Sequence, residues 1–322
     1  MKKTTQAKIV KTIIPLLIGV LFIYLSLKNT TEQDRLTIYN SIKEAHYGYI
    51  FLSLVLGLLS HLSRAYRWNF MLNPLGYHPR LINNILAIFI TYIANLGVPR
   101  SGEFFRATVM QTYEKIPFEK SFGTIIAERT IDLLMLLITI GIALLLESDL
   151  IYSMLKERSV NPWTILLVIL LASSFLYVAF LQLKKATHPF AQRILALLKG
   201  LSEGFLTLVR MEKKWAYLFH TLFIWAMYIA MFYIIKLSLP ETQSLGFEPI
   251  LIGFIVGALA ISATNGGIGI YPFSVSLVLI SYGISKESSL AFGWIMWSAQ
   301  TVMVLFFGSL SFLLLPLVNR KN

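Results

Sequence analysis

The sequence predicts an all-α, polytopic membrane protein with six full spans and two re-entrant helix pairs, about eight membrane segments forming one integral domain over residues 1–322. Three observations carry this. Hydrophobic residues make up 56% of the chain and Asp, Glu, Lys and Arg only 14%, against about 25% charged in an ordinary soluble domain. Six stretches of about 20 largely apolar residues have the length that crosses a bilayer core. Two further apolar stretches are interrupted midway by clusters of Gly and Pro, which break helices.

In chain order, Lys2, Lys3, Lys8 and Lys11 precede an apolar run over 9–27. It ends in Leu-Lys-Asn-Thr-Thr without a small-x-small cleavage site, so it reads as an uncleaved first span. A second span covers 47–63. Residues 81–96 then run into Gly97-Val98-Pro99-Arg100-Ser101-Gly102 and a shorter amphipathic piece, 103–113. Spans at 122–146 and 162–183 follow. Residues 190–211 carry apolar side chains at helical spacing and suit an interfacial helix on anionic headgroups. Within them Gly200-Leu201-Ser202-Glu203-Gly204 matches GxSxG by chance, because a nucleophile elbow needs a strand, turn and helix in a soluble α/β domain. After a span at 215–237, residues 249–263 run into Asn265-Gly266-Gly267-Ile268-Gly269-Ile270-Tyr271-Pro272 and a second apolar arm to about 282. The last span is 290–317. Each arm of a broken stretch has roughly 11 to 17 residues, short of a ~30 Å core at 1.5 Å per residue, so both read as re-entrant pairs.

The net charge of +12, from 28 basic and 16 acidic residues, falls on no zinc-finger or RNA-binding pattern, so a membrane and not nucleic acid is the expected partner. The chain has no Cys, and His46, His61, His78, His188 and His220 show no ligand spacing. No metal and no cofactor are therefore expected. With both broken stretches re-entrant, the predicted cytoplasmic segments hold 20 basic and 5 acidic residues and the outer loops 7 and 9. That is the positive-inside distribution, with both termini cytoplasmic. A full span in place of the first pair would put the basic 184–214 loop outside. The resulting order, span, span, pair, span and then the same again from the opposite side, is that of an inverted-topology repeat with halves 1–150 and 151–322.

Ionisable groups at membrane depth cost about 2.5 to 3.5 kcal/mol each on insertion scales and mark candidate sites. Three clusters qualify. Arg64, Arg67 and Trp68 end the second span; they form either part of a polar site or a snorkelling anchor with a Trp belt. Arg100, Glu103 and Arg106 recur every three residues and can line one helix face, as a ligand site or as an ion-pair ladder, behind a Gly/Pro break that exposes helix N-terminal amides to an anion. Glu128, Arg129 and Asp132 open an otherwise apolar span, and the like charges of Glu128 and Asp132 at i,i+4 call for cations from another element. Joined, these would make a net-cationic polar site at the cytoplasmic mouth of the first break, where arginine suits phosphate. Gly97, Pro99, Gly102, Asn265, Gly266, Gly267, Gly269 and Pro272 would serve as hinges and as backbone lining the cavity.

Arg64-x-x-Arg67-Trp68, Asn95-x-x-x-Pro99-Arg100-x-Gly102-Glu103-x-x-Arg106, Glu128-Arg129-x-x-Asp132 and Gly266-Gly267-Ile268-Gly269, in that order, resemble the signature of the lysylphosphatidylglycerol synthase transmembrane-region family, flippase-like integral membrane proteins. The resemblance extends over nearly the whole chain. It implies a multi-pass protein of a bacterial or archaeal cytoplasmic membrane, related to the part of the lipid-aminoacylating proteins that moves a modified phospholipid between leaflets. It also implies a substrate-binding role for the motif positions Arg64, Arg67, Trp68, Asn95, Arg100, Glu103, Arg106, Glu128, Arg129 and Asp132. Ile270-Tyr271-Pro272-Phe273 stands where the family often has an acidic residue. The membrane region consumes the chain, so no soluble aminoacyltransferase or glycosyltransferase domain is expected, and neither is lysylphosphatidylglycerol synthesis. The expected activity is a flippase or transporter for an anionic phospholipid or polyprenyl-phosphate-type lipid. The alternatives are an intramembrane lipid-modifying enzyme, an accessory subunit presenting lipid to one, or a small-solute transporter.

Overall fold

The computed structural model describes residues 24, 31–98, 100–148, 211–264 and 266–320. The first predicted span, the 162–183 span, the interfacial helix, Pro99 and Asn265 lie outside these residues. Every regular element among those described is helical: α1 (Glu32–Glu44), α2 (Tyr47–Arg67), α3 (Leu81–Gly97), α4 (Gly102–Glu114), α5 (Phe118–Leu146), α6 (Lys214–Ile235), α7 (Phe247–Ala263), α8 (Ile270–Ser281) and α9 (Lys286–Val318). Among the described residues, four helical stretches are long and apolar enough to cross a membrane: Tyr47–Leu75, Phe118–Leu146, Lys214–Ser238 and Lys286–Val318. These match the four predicted spans that fall on described residues. The second is longer than predicted, because Arg64 and Arg67 stay within the helix and short turns continue it to Leu75.

Two compact units divide the chain, one drawn from Met1–Ile126 and Trp215–Asn322, the other from Ala127–Lys214. In the first, both broken stretches fold back as hairpins. At the open end of α3–α4, the backbone N–H of Arg80 donates to Glu114 Oε1 at 3.1 Å, and the Asn83 side chain also donates to Glu114. At the closed end Gly102 lies against the carbonyl of Thr91 so tightly that a Cβ there would collide with it. In α7–α8, Gly257 faces the ring of Tyr271 across the turn in the same way. Helix α4 matches the predicted second arm, 103–113, and forms the return arm of the hairpin.

Helix α9 organises this unit, packing on α1, α2, α3 and α8. Small residues make the close approaches, as expected where apolar lipid supplies little drive for helix association. Gly308 meets the Ile93 side chain of α3, and Gly293 meets the Pro272 backbone of α8. At the C-terminal end of α9, Asn319 and Asn83 exchange amide hydrogen bonds at 3.0 and 3.1 Å, and Arg80 donates to Asn319. The open end of α3–α4 therefore sits at the Asn319 end of α9. Hairpin α7–α8 opens at the opposite end, since α8 stops at Ser281, just before α9 begins at Lys286.

The two long helices beside the hairpins are antiparallel. Ser53 bonds the Met231 carbonyl at 3.1 Å, Ser63 pairs with His220 at 2.9 Å and Arg67 reaches Thr221 at 2.8 Å. Thus α2 with α3–α4, and α6 with α7–α8, run in opposite senses. The hairpin tips meet: a Cβ on Gly266 would strike Leu96, and Trp297 Nε1 donates to the Gly266 carbonyl at 2.8 Å. The α9 contacts at Trp297 and Gly308 bracket the helix centre, Val302, so the tips meet midway along a helix about 50 Å long. The Lys286 end is closed by an apolar cluster including Ile38, Ile235, Leu239, Ile250, Leu279, Leu290 and Phe292. There α1 is opened by a capping box, in which the Thr31 backbone N–H on Asp34 (2.7 Å) holds that carboxyl below its usual range.

Candidate functional site

The buried face of α2 carries Ser53, Gly57, Ser60, Arg64 and Arg67, a stripe at i, i+4, i+7, i+11 and i+14. Small residues let α2 approach its neighbours, and the two arginines continue the same stripe to the Asn319 end. Their exposures are 3% for Arg64 and 0% for Arg67, with Trp68 also at 0%. Burial of this degree excludes the snorkelling anchor and the Trp belt, both of which need the polar ends in water.

Each arginine of the first unit's buried set faces an aromatic ring. Arg67 lies with Cζ 5.0 Å from the Tyr217 centroid and its Nη1 donates to Thr221 Oγ1 at 2.8 Å. Arg64 lies 6.0 Å from the Tyr228 centroid, with Nη2 3.4 Å from the Tyr228 hydroxyl, which is 3.3 Å from the hydroxyl of Tyr92. Arg106, 0% exposed, comes from α4 and lies flat on Trp68, Cζ 3.7 Å from the centroid. The first and second sequence clusters therefore converge, and they do so through Arg106 and Trp68.

The predicted stripe of Arg100, Glu103 and Arg106 does not form. Helix α4 starts at Gly102, after Arg100, whose backbone is left-handed with φ 61°. Arg100 is exposed at the hairpin tip, Glu103 half-buried and Arg106 buried. Asn95 has a capping role: its Oδ1 accepts the Gly102 N–H at 2.8 Å, and its Nδ2 lies 3.5 Å from Glu103. That amide of the α4 N-terminus is thus satisfied from within the hairpin. Gly97 is exposed with open space around it, whereas Gly102 is buried against Thr91. In the second break Gly266, Gly267 and Gly269 all have positive φ, 64°, 76° and 70°, a region that side-chain-bearing residues rarely adopt. Pro272 follows, buried on Gly293.

Three predicted residues belong to the second unit. Glu128 is fully buried, and Arg129 pairs with Asp132 at 3.7 Å on its own helix.

Sequence reasoning missed Tyr217, Thr221 and Tyr228, which line one face of α6 at i, i+4 and i+11, and His61, whose ring lies 4.4 Å from that of Tyr92. Polar and aromatic side chains recurring on one face of an apolar span are the signal that would have found them. It also missed Asn83, Glu114 and Asn319, which nothing local distinguishes from loop residues.

Among the described residues, four membrane-length helices, two opposed broken hairpins and three buried arginines define a polytopic α-helical membrane protein with an internal polar site. A family profile described as "Lysylphosphatidylglycerol synthase TM region" matches residues 12–308, and the chain belongs to that family. It is also similar to the UPF0104 membrane protein MJ1595 of Methanocaldococcus jannaschii, 30% identical over 130 residues, which is 39% of this chain and 38% of the relative. The match thus spans well under half of the curated relative's length. No solved structure matches the chain.

Proposed function

We propose that this protein moves a lipid with an anionic, phosphate-bearing headgroup between the leaflets of the cytoplasmic membrane. The observation that carries the reading is the set Arg64, Arg67 and Arg106, each buried and each set against an aromatic ring beside the first broken hairpin. Buried guanidinium groups are costly, and their planar forks suit the oxygens of a phosphate. The hairpins supply the rest of what a carrier needs: opposite openings, and tips that meet midway with non-helical backbone. On this reading the repeat halves are 1–150 and 151–322, and Glu103, half-buried on the same hairpin arm as Arg106, offsets part of the arginine charge when no lipid is bound. Arg100, exposed at the tip, would meet the headgroup partway along its path.

The Asn319 end is assigned to the cytoplasm. Its segments carry Arg80, Lys115, Lys120 and Arg320 against Glu114 and Glu119, whereas at the other end Glu32, Asp34, Glu44, Glu241, Glu248 and Glu287 outnumber Arg35, Lys43, Lys236 and Lys286. Mass spectrometry of the gently purified protein tests the substrate class. Anionic phospholipid or polyprenyl phosphate should be retained by the wild type and lost from Arg64→Gln/Arg67→Gln. Retention of zwitterionic lipid alone, by both proteins, would contradict the proposal.

A further inference from the structure

Two threonines stand behind the arginines, and the hydrogen bonds they make have a fixed direction. The hydroxyl of Thr124 donates to the Ser121 carbonyl at 2.7 Å, on its own helix. A threonine hydroxyl has one proton, so towards Trp68 it can only accept, and it does so from the indole Nε1–H at 2.9 Å. Thr221 repeats the device. Its proton goes to the Tyr217 carbonyl at 2.9 Å, and its lone pair takes Arg67 Nη1–H at 2.8 Å. Both threonines are buried, at 7% and 1% exposure.

We infer that Thr124 and Thr221 are positioning residues for the headgroup site, each a one-directional acceptor that sets the plane of a guanidinium. Thr221 acts on Arg67 directly, while Tyr217 covers that group's face. Thr124 acts at one remove: it fixes the rotation of the Trp68 ring, and the ring fixes the plane of Arg106, stacked 3.7 Å away. Guanidinium N–H donors all lie in the plane of the group, so setting the plane sets the directions in which oxygens can be bound. Stacking uses the face, and the N–H donors lie along the edge. The inference rests on the proposed role of Arg106 in holding the headgroup. It adds that the relay Thr124, Trp68, Arg106 works as one unit.

A double-mutant cycle on lipid translocation tests it. The protein is reconstituted into vesicles with fluorescent phosphatidylglycerol, and initial rates are followed against its mole fraction. Thr124→Val keeps the shape and loses the acceptor. It should raise the apparent KM about fivefold, the worth of one ordinary hydrogen bond, with little change in maximal rate, and Thr124→Ser should restore it. In an Arg106→Lys background, where no planar group remains to be set, Thr124→Val should have no further effect on KM. Additive effects in the two backgrounds would overturn the relay. So would a Thr124→Val protein with lowered thermal stability and unchanged KM, the result expected of a merely structural bond. An Arg106→Lys protein with wild-type KM and rate would instead overturn the underlying assignment of Arg106.

Discussion

The guanidinium of Arg106 lies flat on the indole of Trp68, its Cζ 3.7 Å from the ring centroid, with both side chains fully buried. One residue comes from the return arm of a broken hairpin and the other from the end of a membrane-length helix. The contact therefore ties the first hairpin to α2 through the chemistry of the candidate site.

A desolvated cation–π stack is worth about 2 kcal/mol or more. Lysine keeps the charge but has no plane to stack. Arg106→Lys should therefore lower the efficiency of anionic-lipid translocation severalfold, towards a ceiling of about 30-fold, the equivalent of losing the whole ~2 kcal/mol. Trp68→Leu should cause a comparable loss, while Trp68→Phe, which keeps a ring, should lose less. Rates in reconstituted vesicles check this ordering.

The glycines of the two breaks should respond differently to alanine. At Gly102 the added Cβ meets the backbone carbonyl of Thr91, which cannot move without opening the hairpin. At Gly266 it meets the terminal methyl of Leu96, which can turn away, so the remaining cost is the positive φ of 64°. Gly266→Ala should cost about 1–2 kcal/mol. Gly102→Ala should cost more, at or above the upper end of the roughly 1–3 kcal/mol typical of overpacking. Thermal unfolding in detergent compares the two.

Asn319 and Asn83 form a reciprocal amide pair at the open end of α3–α4. Removing one leaves the other buried with polar groups unmatched, a cost of about 1–3 kcal/mol. Asn319→Ala should therefore destabilise by that amount. Replacing Arg80, whose side chain is 40% exposed and 3.6 Å from Glu114, should cost less through that ion pair, about 1 kcal/mol or below. The same unfolding measurement distinguishes them.

Because the chain contains no cysteine, single cysteines report sidedness cleanly. Thr112→Cys and Arg320→Cys, at the Asn319 end, should react with a membrane-impermeant maleimide only after the cytoplasmic face is opened. Glu44→Cys and Ser244→Cys should react in intact cells. Labelling of Thr112 and Ser244 from the same side would contradict the opposed hairpins.

The membrane class, the four described spans and both hairpins were legible from apolar length and from Gly/Pro interruption. These signals are local, and the physics behind them, satisfying backbone groups in lipid, is strong. The site was legible only as residue types. The three-residue spacing of Arg100, Glu103 and Arg106 suggested a single stripe, but periodicity assumes one continuous helix. The left-handed backbone at Arg100 and the helix start at Gly102 break the register between them. The rings behind the arginines were hidden for another reason. Tyr217 and Tyr228 are distant in sequence and read as ordinary apolar-span residues until α6 is laid antiparallel to α2.

The proposed function requires that the buried arginines beside the first hairpin carry an anionic headgroup across the membrane. It is tested most directly by lipid translocation in vesicles containing the purified chain, comparing fluorescent phosphatidylglycerol with fluorescent phosphatidylcholine, in the wild type and in Arg64→Gln/Arg67→Gln. The account predicts protein-dependent movement of the anionic lipid, much slower movement of the zwitterionic one, and loss of that preference in the folded double variant. Equal rates for the two lipids, or a double variant that moves phosphatidylglycerol as fast as the wild type, would contradict it.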